Sequence, residues 1–276
     1  MNDLVPHPLL EQTKLFDAAQ ARMKLRQYSD ETIKAYMGQL RAFLRGLGPR
    51  DARAVSMEEM RGYLLGLIET GRSRSAVDQA VNALRFLCEE VFRQPFSLGD
   101  FSRPRKNRDL PSVLSVEEVK RIAVSAENPK HRLMIELAFS AGLRVSELVE
   151  VRVKHLNMNK SMLFVPGLGK GRKGRITIFS ESLKDALARQ TGLKRPDDFL
   201  FPSERGGKLT TRSVAKFFKA ALEVSGVGKG ATPHSLRHSF AAFLARNGTD
   251  LPTLQNLLGH NRPESAKVYS KIAQRS

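Results

Sequence analysis

FSRPRKNRDLPSVLS, residues 101–115, is the stretch on which the architecture turns. It holds two prolines and the basic residues Arg103, Arg105, Lys106 and Arg108, with little apolar content. A proline breaks a helix and biases the residue before it toward extended backbone. A charged run of this kind has nothing to bury, so it reads as an exposed linker. The 276 residues then divide into an N-terminal domain over 1–100, a basic linker over 101–112 and a C-terminal domain over 113–276. Each domain is long enough to bury a core of its own.

Working outward toward the N-terminus, the pattern is helical. In SDETIKAYMGQLRAFLRGLG, the residues Ile33, Tyr36, Met37, Leu40, Phe43, Leu44 and Leu47 recur at helical spacing. Ser29 or Asp30 offers a cap, and Gly48-Pro49 ends the run. SMEEMRGYLLGLIETG opens with a capping box, Ser56 to Glu59, and closes at Gly71. SAVDQAVNALRFLCEEVF and PLLEQTKLFDAAQARMKL supply two further helices. Together they make a four-helix bundle.

Toward the C-terminus, Ser115 to Glu118 forms a second capping box and opens a mostly helical domain. One segment interrupts it. In SMLFVPGLGKGRKGRITIFS, residues 161–180, two β-prone runs flank a turn rich in glycine and lysine, which predicts a hairpin with a cationic tip. Helices return at SLKDALARQ, TRSVAKFFKAALEVSG, HSLRHSFAAFLARNG, LPTLQNLLGH and PESAKVYSKIA. The fold class is therefore mainly α, in two domains, with a small β-hairpin in the second.

Composition narrows the function. The hydrophobic fraction of 41% fits a globular protein. No apolar run approaches the roughly 18 residues of a membrane span. MNDLVPHPLLEQTK lacks the basic-then-apolar order of a secretory signal, so a cytoplasmic protein is expected. The single cysteine, Cys88, leaves no internal disulfide and reads as a buried thiol. Net charge is +18. Residues 1–100 carry 14 Lys and Arg against 13 Asp and Glu, whereas residues 101–276 carry 32 against 15. So large an excess attracts polyanions, nucleic acid above all, and it belongs to the C-terminal part. Within the first domain only a local basic face is expected, from Arg22, Lys24, Arg26, Lys34 and Arg41.

Four pieces of the C-terminal domain are candidates for chemistry. In SAGLRVSELVEV, residues 140–151, Arg144 stands at a helix start and Glu147 lies one turn on, where it can orient the guanidinium. A plain surface ion pair is the competing reading. The hairpin tip presents Lys170, Arg172, Lys173 and Arg175, either as non-specific phosphate contacts or with one lysine as a proton donor. In PHSLRHSF, residues 233–240, His234 and Arg237 share one helix face; His238 reads as structural, since no third ligand completes a metal site. In LLGHNRPESAKVYSK, residues 257–271, His260 ends one helix and Tyr269 rides the next, where a half-buried packing role competes with a reactive one.

Combined, the pieces fit attack on a phosphodiester. Two guanidiniums can clamp the oxygens of a pentacoordinate phosphorus, imidazoles can move protons beside them, and nearby cations ease ionisation of a phenol. No cofactor and no metal is required.

The order Arg in GLRVSEL, Lys in GKGRKGR, His-x-x-Arg in HSLRH, His in LLGH and then Tyr resembles the tyrosine recombinase, or phage integrase, family, nearest its Xer-like branch, archaeal Xer-type and integron-type enzymes included. The resemblance spans most of the chain. It implies that the first domain is the family's SAM-like core-binding bundle and the second its catalytic domain. By carry-over, Tyr269 is the nucleophile, Arg144 and Arg237 stabilise the transition state, and Lys170 is the general acid, with Lys173 its rival. His234, the better candidate for base, and His260 complete the site, and Glu147 supports Arg144. DNA contacts are expected from Arg103, Arg105, Lys106, Arg108, Arg172, Lys173 and Arg175. The implied partner is double-stranded DNA with paired inverted arms, bound by a homotetramer on two sites, the free protein being monomer or dimer. Seven residues follow Tyr269, fewer than the further helix Xer-type relatives carry. A non-catalytic DNA-binding protein on the same scaffold, and a type IB topoisomerase, are the rival readings.

Overall fold

The computed structural model describes residues 8–103, 112–167 and 173–259. The chain divides into two compact units, Met1–Arg108 and Asp109–Ser276. Among the described residues no helix is long and apolar enough to cross a membrane.

Among the described residues, four α-helices build the first unit: α1 (Pro8–Leu25), α2 (Asp30–Leu47), α3 (Met57–Glu69) and α4 (Arg74–Phe86). Their starts follow the local chemistry. The Ser29 hydroxyl accepts from the Thr32 amide, and the Ser56–Glu59 capping box forms in both directions. Both satisfy amides that a helix start leaves open. The last helix outlasts its regular geometry: one wide turn, Leu87–Phe92, carries it on to Arg93 in left-handed conformation. Met23, Leu40, Phe43, Leu64, Val77, Leu84 and Leu87 fill the core. Cys88 lies among them, 3.7 Å from the Met60 sulfur, and burial pushes its thiol up to about 11. The three tyrosines of this unit join its aromatic packing edge to face, Tyr28 with Tyr36 at 5.9 Å and Tyr63 with Phe43 at 5.1 Å. Arg22 and Arg26, read as part of a basic face, both pair with Glu90.

The second unit runs α5 (Val116–Val124), α6 (Pro129–Ser140), α7 (Val145–Leu148), β1 (Leu156–Asn157), β2 (Met162–Val165), β3 (Arg175–Ile178), α8 (Lys184–Thr191), α9 (Thr211–Val224), α10 (Pro233–Arg246) and α11 (Leu251–Leu258). The expected hairpin is present, with Met162 opposite Ile178 and Val165 opposite Arg175. It has a third strand: Leu156 pairs with Leu163, giving the antiparallel order β1-β2-β3. In the SAGLRVSELVEV run, Arg144 stands at the start of a helix, as expected, and that helix is the single turn α7. Helix α10 packs on α6 and α11, and α11 packs on β3.

Three ties hold this arrangement. The Ser239 hydroxyl accepts from the Leu114 amide at 2.8 Å and donates to the Ser235 carbonyl. The buried Thr177 hydroxyl donates to the Ala141 carbonyl at 3.0 Å, fastening β3 to the turn between α6 and α7. In that turn Gly142 has φ +59°, and a Cβ there would stand 2.4 Å from the Phe240 ring. Only glycine meets both conditions.

Candidate active site

Glu147 is the centre of the site. Its carboxylate accepts from the Arg144 backbone amide at 2.8 Å and from Arg144 Nη1 at 2.7 Å. From β3, Arg175 reaches both of its oxygens, Nη1 at 2.8 Å and Nη2 at 2.9 Å. From α10, Arg237 Nη1 lies 3.7 Å away. Three arginines on three different elements thus share one carboxylate. Burial alone would raise the Glu147 pKa. The Arg175 hydrogen bonds and charge outweigh it, Arg144 adds to them, and the group is held at about 2.

Arg237 is 1% exposed, and its guanidinium donates to the Gly142 carbonyl at 2.7 Å and the Leu258 carbonyl at 2.5 Å. The spacing predicts that His234 and Arg237 share a helix face. They do point to a common region, but His234 is exposed while Arg237 is sunk against carbonyls at the Gly142 turn and the end of α11. His234 is held below the ordinary histidine pKa, first by partial desolvation and then by the charges of Arg237 and Arg144, with Glu147 acting in the opposite direction. Its imidazole is therefore neutral near neutral pH, the state a base requires. His238 meets it edge to face at 4.8 Å and is pushed down to about 4 by desolvation, His234 and Arg237.

The expected site residues fall into three groups. Arg144, Glu147, His234 and Arg237 come together. Lys170, Arg172, His260 and Tyr269, with the linker residues Arg105, Lys106 and Arg108, lie outside the described residues. The third group is displaced from its expected place. Arg175, expected among the phosphate contacts of the hairpin tip, starts strand β3 with its side chain only 11% exposed and its guanidinium committed to Glu147. Its neighbour Lys173 is exposed, as the tip reading has it. Arg103, expected along DNA, folds back on α4 and donates to Asp78 at 3.1 Å and Asn82 at 3.4 Å. In both cases the guanidinium pairs with a carboxylate of its own unit, Glu147 for Arg175 and Asp78 for Arg103.

What the sequence did not disclose is the join between β3 and α11. Arg175 Nε also donates to the Leu257 carbonyl at 2.7 Å, next to the Leu258 carbonyl taken by Arg237. A helix end leaves its last carbonyls open, and cations are favoured there. The glycine that ends α11, Gly259 at φ +62°, was the one local hint. Among the described residues no group of three or more His, Cys, Asp or Glu is placed to hold a metal ion.

Comparison with known proteins gives the family and the fold. Residues 112–275 match the model of the phage integrase family, and residues 15–98 that of the phage integrase N-terminal SAM-like domain. The chain is 32% identical to tyrosine recombinase XerD of Oceanobacillus iheyensis over 269 residues, covering 90% of each protein. It is 31% identical to an integrase/recombinase of Escherichia coli, covering 97% of this chain and 92% of that protein. The fold is that of lambda integrase in a crystal structure of its tetramer bound to a Holliday junction, with a TM-score of 0.78 at 20% identity over 96% of this chain and 78% of that one. The chain belongs to the phage integrase family, the tyrosine-type site-specific recombinases.

Proposed function

We propose that this recombinase cuts and rejoins DNA strands through a 3′-phosphotyrosine formed on Tyr269. The observation that carries the reading is the meeting of Arg144 and Arg237 at one carboxylate, with a neutral histidine beside them. A phosphodiester under attack gains negative charge on its non-bridging oxygens, and preorganised guanidiniums stabilise that charge without reorganising. Arg144, whose side chain is 31% exposed, gives one nitrogen to Glu147 and keeps its open side toward solvent. Arg237 is the deeper member of the clamp, and engaging a phosphate requires the pocket to open over it.

In the forward step the Tyr269 oxygen bonds to phosphorus, its proton passes to His234, and the bond to the 5′-oxygen breaks. Lys170 donates the proton that the leaving 5′-oxygen takes, with Lys173 as the alternative donor. His260 completes the pocket, and Glu147 orients Arg144. The reverse attack by a 5′-hydroxyl of another strand restores a phosphodiester and frees the tyrosine. The ester conserves the bond energy, so neither ATP nor a metal enters the balance.

On this reading the first unit, the basic segment after it and the second unit together grip double-stranded DNA with paired inverted arms. A homotetramer on two such sites exchanges the strands, as the neighbour on a Holliday junction suggests. Integration and excision of mobile DNA and resolution of chromosome dimers both use that reaction. The direct test incubates the full chain with fragmented genomic DNA in EDTA and resolves the products under denaturing conditions. Protein-linked DNA is expected; DNA that is bound but never linked would leave only the non-catalytic scaffold reading.

A further inference from the structure

Arg175 has no role in the chemistry set out above, yet its guanidinium makes three hydrogen bonds within the site. Its three guanidinium nitrogens are all engaged inside the protein, Nη1 and Nη2 on the two oxygens of Glu147 and Nε on the Leu257 carbonyl. Its stem runs beneath the end of α11 so closely that a Cβ on Gly259 would stand 2.8 Å from its Cδ. Strand β3 carrying it is pinned by the Thr177 bond to Ala141 and by pairing with β2.

We propose that Arg175 is a positioning residue, one guanidinium that locks Glu147 to the C-terminal end of α11 and so sets the Arg144 side chain and the end of that helix in register. The proposal rests on the reading above, in which the residues beyond Gly259 carry His260 and Tyr269. The argument is geometric. Arg144 gets its orientation from Glu147, and Glu147 gets its own from the paired bonds of Arg175. The same guanidinium holds the Leu257 carbonyl, two residues before Gly259 ends the helix. A planar fork fixes all three contacts at once; an ammonium, a point donor on a flexible stem, cannot. Since an error of about 1 Å in a reacting geometry costs on the order of 100-fold in rate, a residue of this kind acts on the chemical step and not on DNA affinity.

The test uses the full chain as wild type, R175A, R175K, E147Q, the R175A/E147Q double variant and Y269F. The probe is one duplex recovered from wild-type covalent complexes. Single-turnover linkage is measured at saturating duplex, and affinity for the same duplex separately. The expected result is a linkage rate lower by about 10²-fold in R175A with affinity changed little. R175K, which keeps the charge without the fork, should stay nearer R175A than wild type. The double variant should be no slower than the slower single variant, because both act through one carboxylate. If R175A does not fold, R175K against E147Q carries the same comparison. Wild-type linkage at saturation together with weakened, less salt-dependent binding would make Arg175 a phosphate contact and overturn the proposal; so would rate losses that multiply in the double variant. Linkage that survives Y269F would instead overturn the parent reading.

Discussion

Glu147 concentrates the physics of the site in one residue. A buried carboxylate and a buried guanidinium such as Arg237 are each costly alone, and each makes the other tolerable. Removing the carboxylate charge leaves Arg237 uncompensated. Glu147→Gln is therefore expected to destabilise the second unit by about 3–5 kcal/mol, measured by denaturant unfolding. Acid should reproduce part of this. With its folded pKa near 2, below the ordinary value of 4.5, Glu147 stabilises the fold above about pH 4.5 and loses that contribution as pH falls toward 2. The wild-type and Glu147→Gln stabilities should thus converge across that window; a constant difference would show the carboxylate is not ionised in the fold. Arg144→Ala is expected to slow cleavage by about 10²–10³-fold at saturating DNA, read from single-turnover linkage. His234 gives a sign as well as a size. Its depressed pKa keeps the base form present at neutral pH, so kcat/KM for linkage should hold down to pH 6.5 and fail only below it. An acid limb that begins well above 6.5 would contradict its assignment as base.

At the scale of elements, the site is where four pieces of secondary structure meet: the turn into α7, strand β3, helix α10 and the end of α11. Two glycines let them approach. Gly142→Ala would combine left-handed strain with a clash on Phe240 and Leu258, and a loss of about 2 kcal/mol or more is expected from thermal unfolding. Wild-type stability in that variant would mean the turn is not as tightly packed as described. Local chemistry made most of these elements legible in the sequence. Ser56–Glu59 and Ser115–Glu118 capped as expected because a capping box involves only four consecutive residues. What was not legible depends on distant partners. Strand β1, two residues long, exists only because β2 offers it an edge. Arg175 reads as one more cation of a basic tip until the fold brings Glu147 and Leu257 to it. Helical spacing put His234 and Arg237 on one face, yet it could not say that carbonyls of Gly142 and Leu258 would bury the arginine.

For the whole molecule, charge and chain division work together. The excess of Lys and Arg lies in residues 101–276, which hold the basic segment and the second unit, while residues 1–100 are near neutral and pair Arg22 and Arg26 internally. The basic part should therefore account for most of the salt dependence of DNA binding. A log–log slope of affinity against salt measured on the full chain should flatten by about one contact's share when Lys173, exposed beside the hairpin tip, becomes alanine. An unchanged slope would remove Lys173 from the interface. The family features that identify the chain span both units, yet the residue on which the mechanism depends, Tyr269, sits beyond the described part of the second. Its three counterparts in the first unit are engaged in aromatic packing, which leaves it the tyrosine to test. The most direct measurement is to digest the covalent protein–DNA complex formed in EDTA and identify the DNA-bearing peptide by mass spectrometry. The account predicts a phosphodiester to the 3′ end of DNA on Tyr269 and no adduct from the Tyr269→Phe chain. An adduct on any other residue, or one that forms only with a divalent metal, would contradict it.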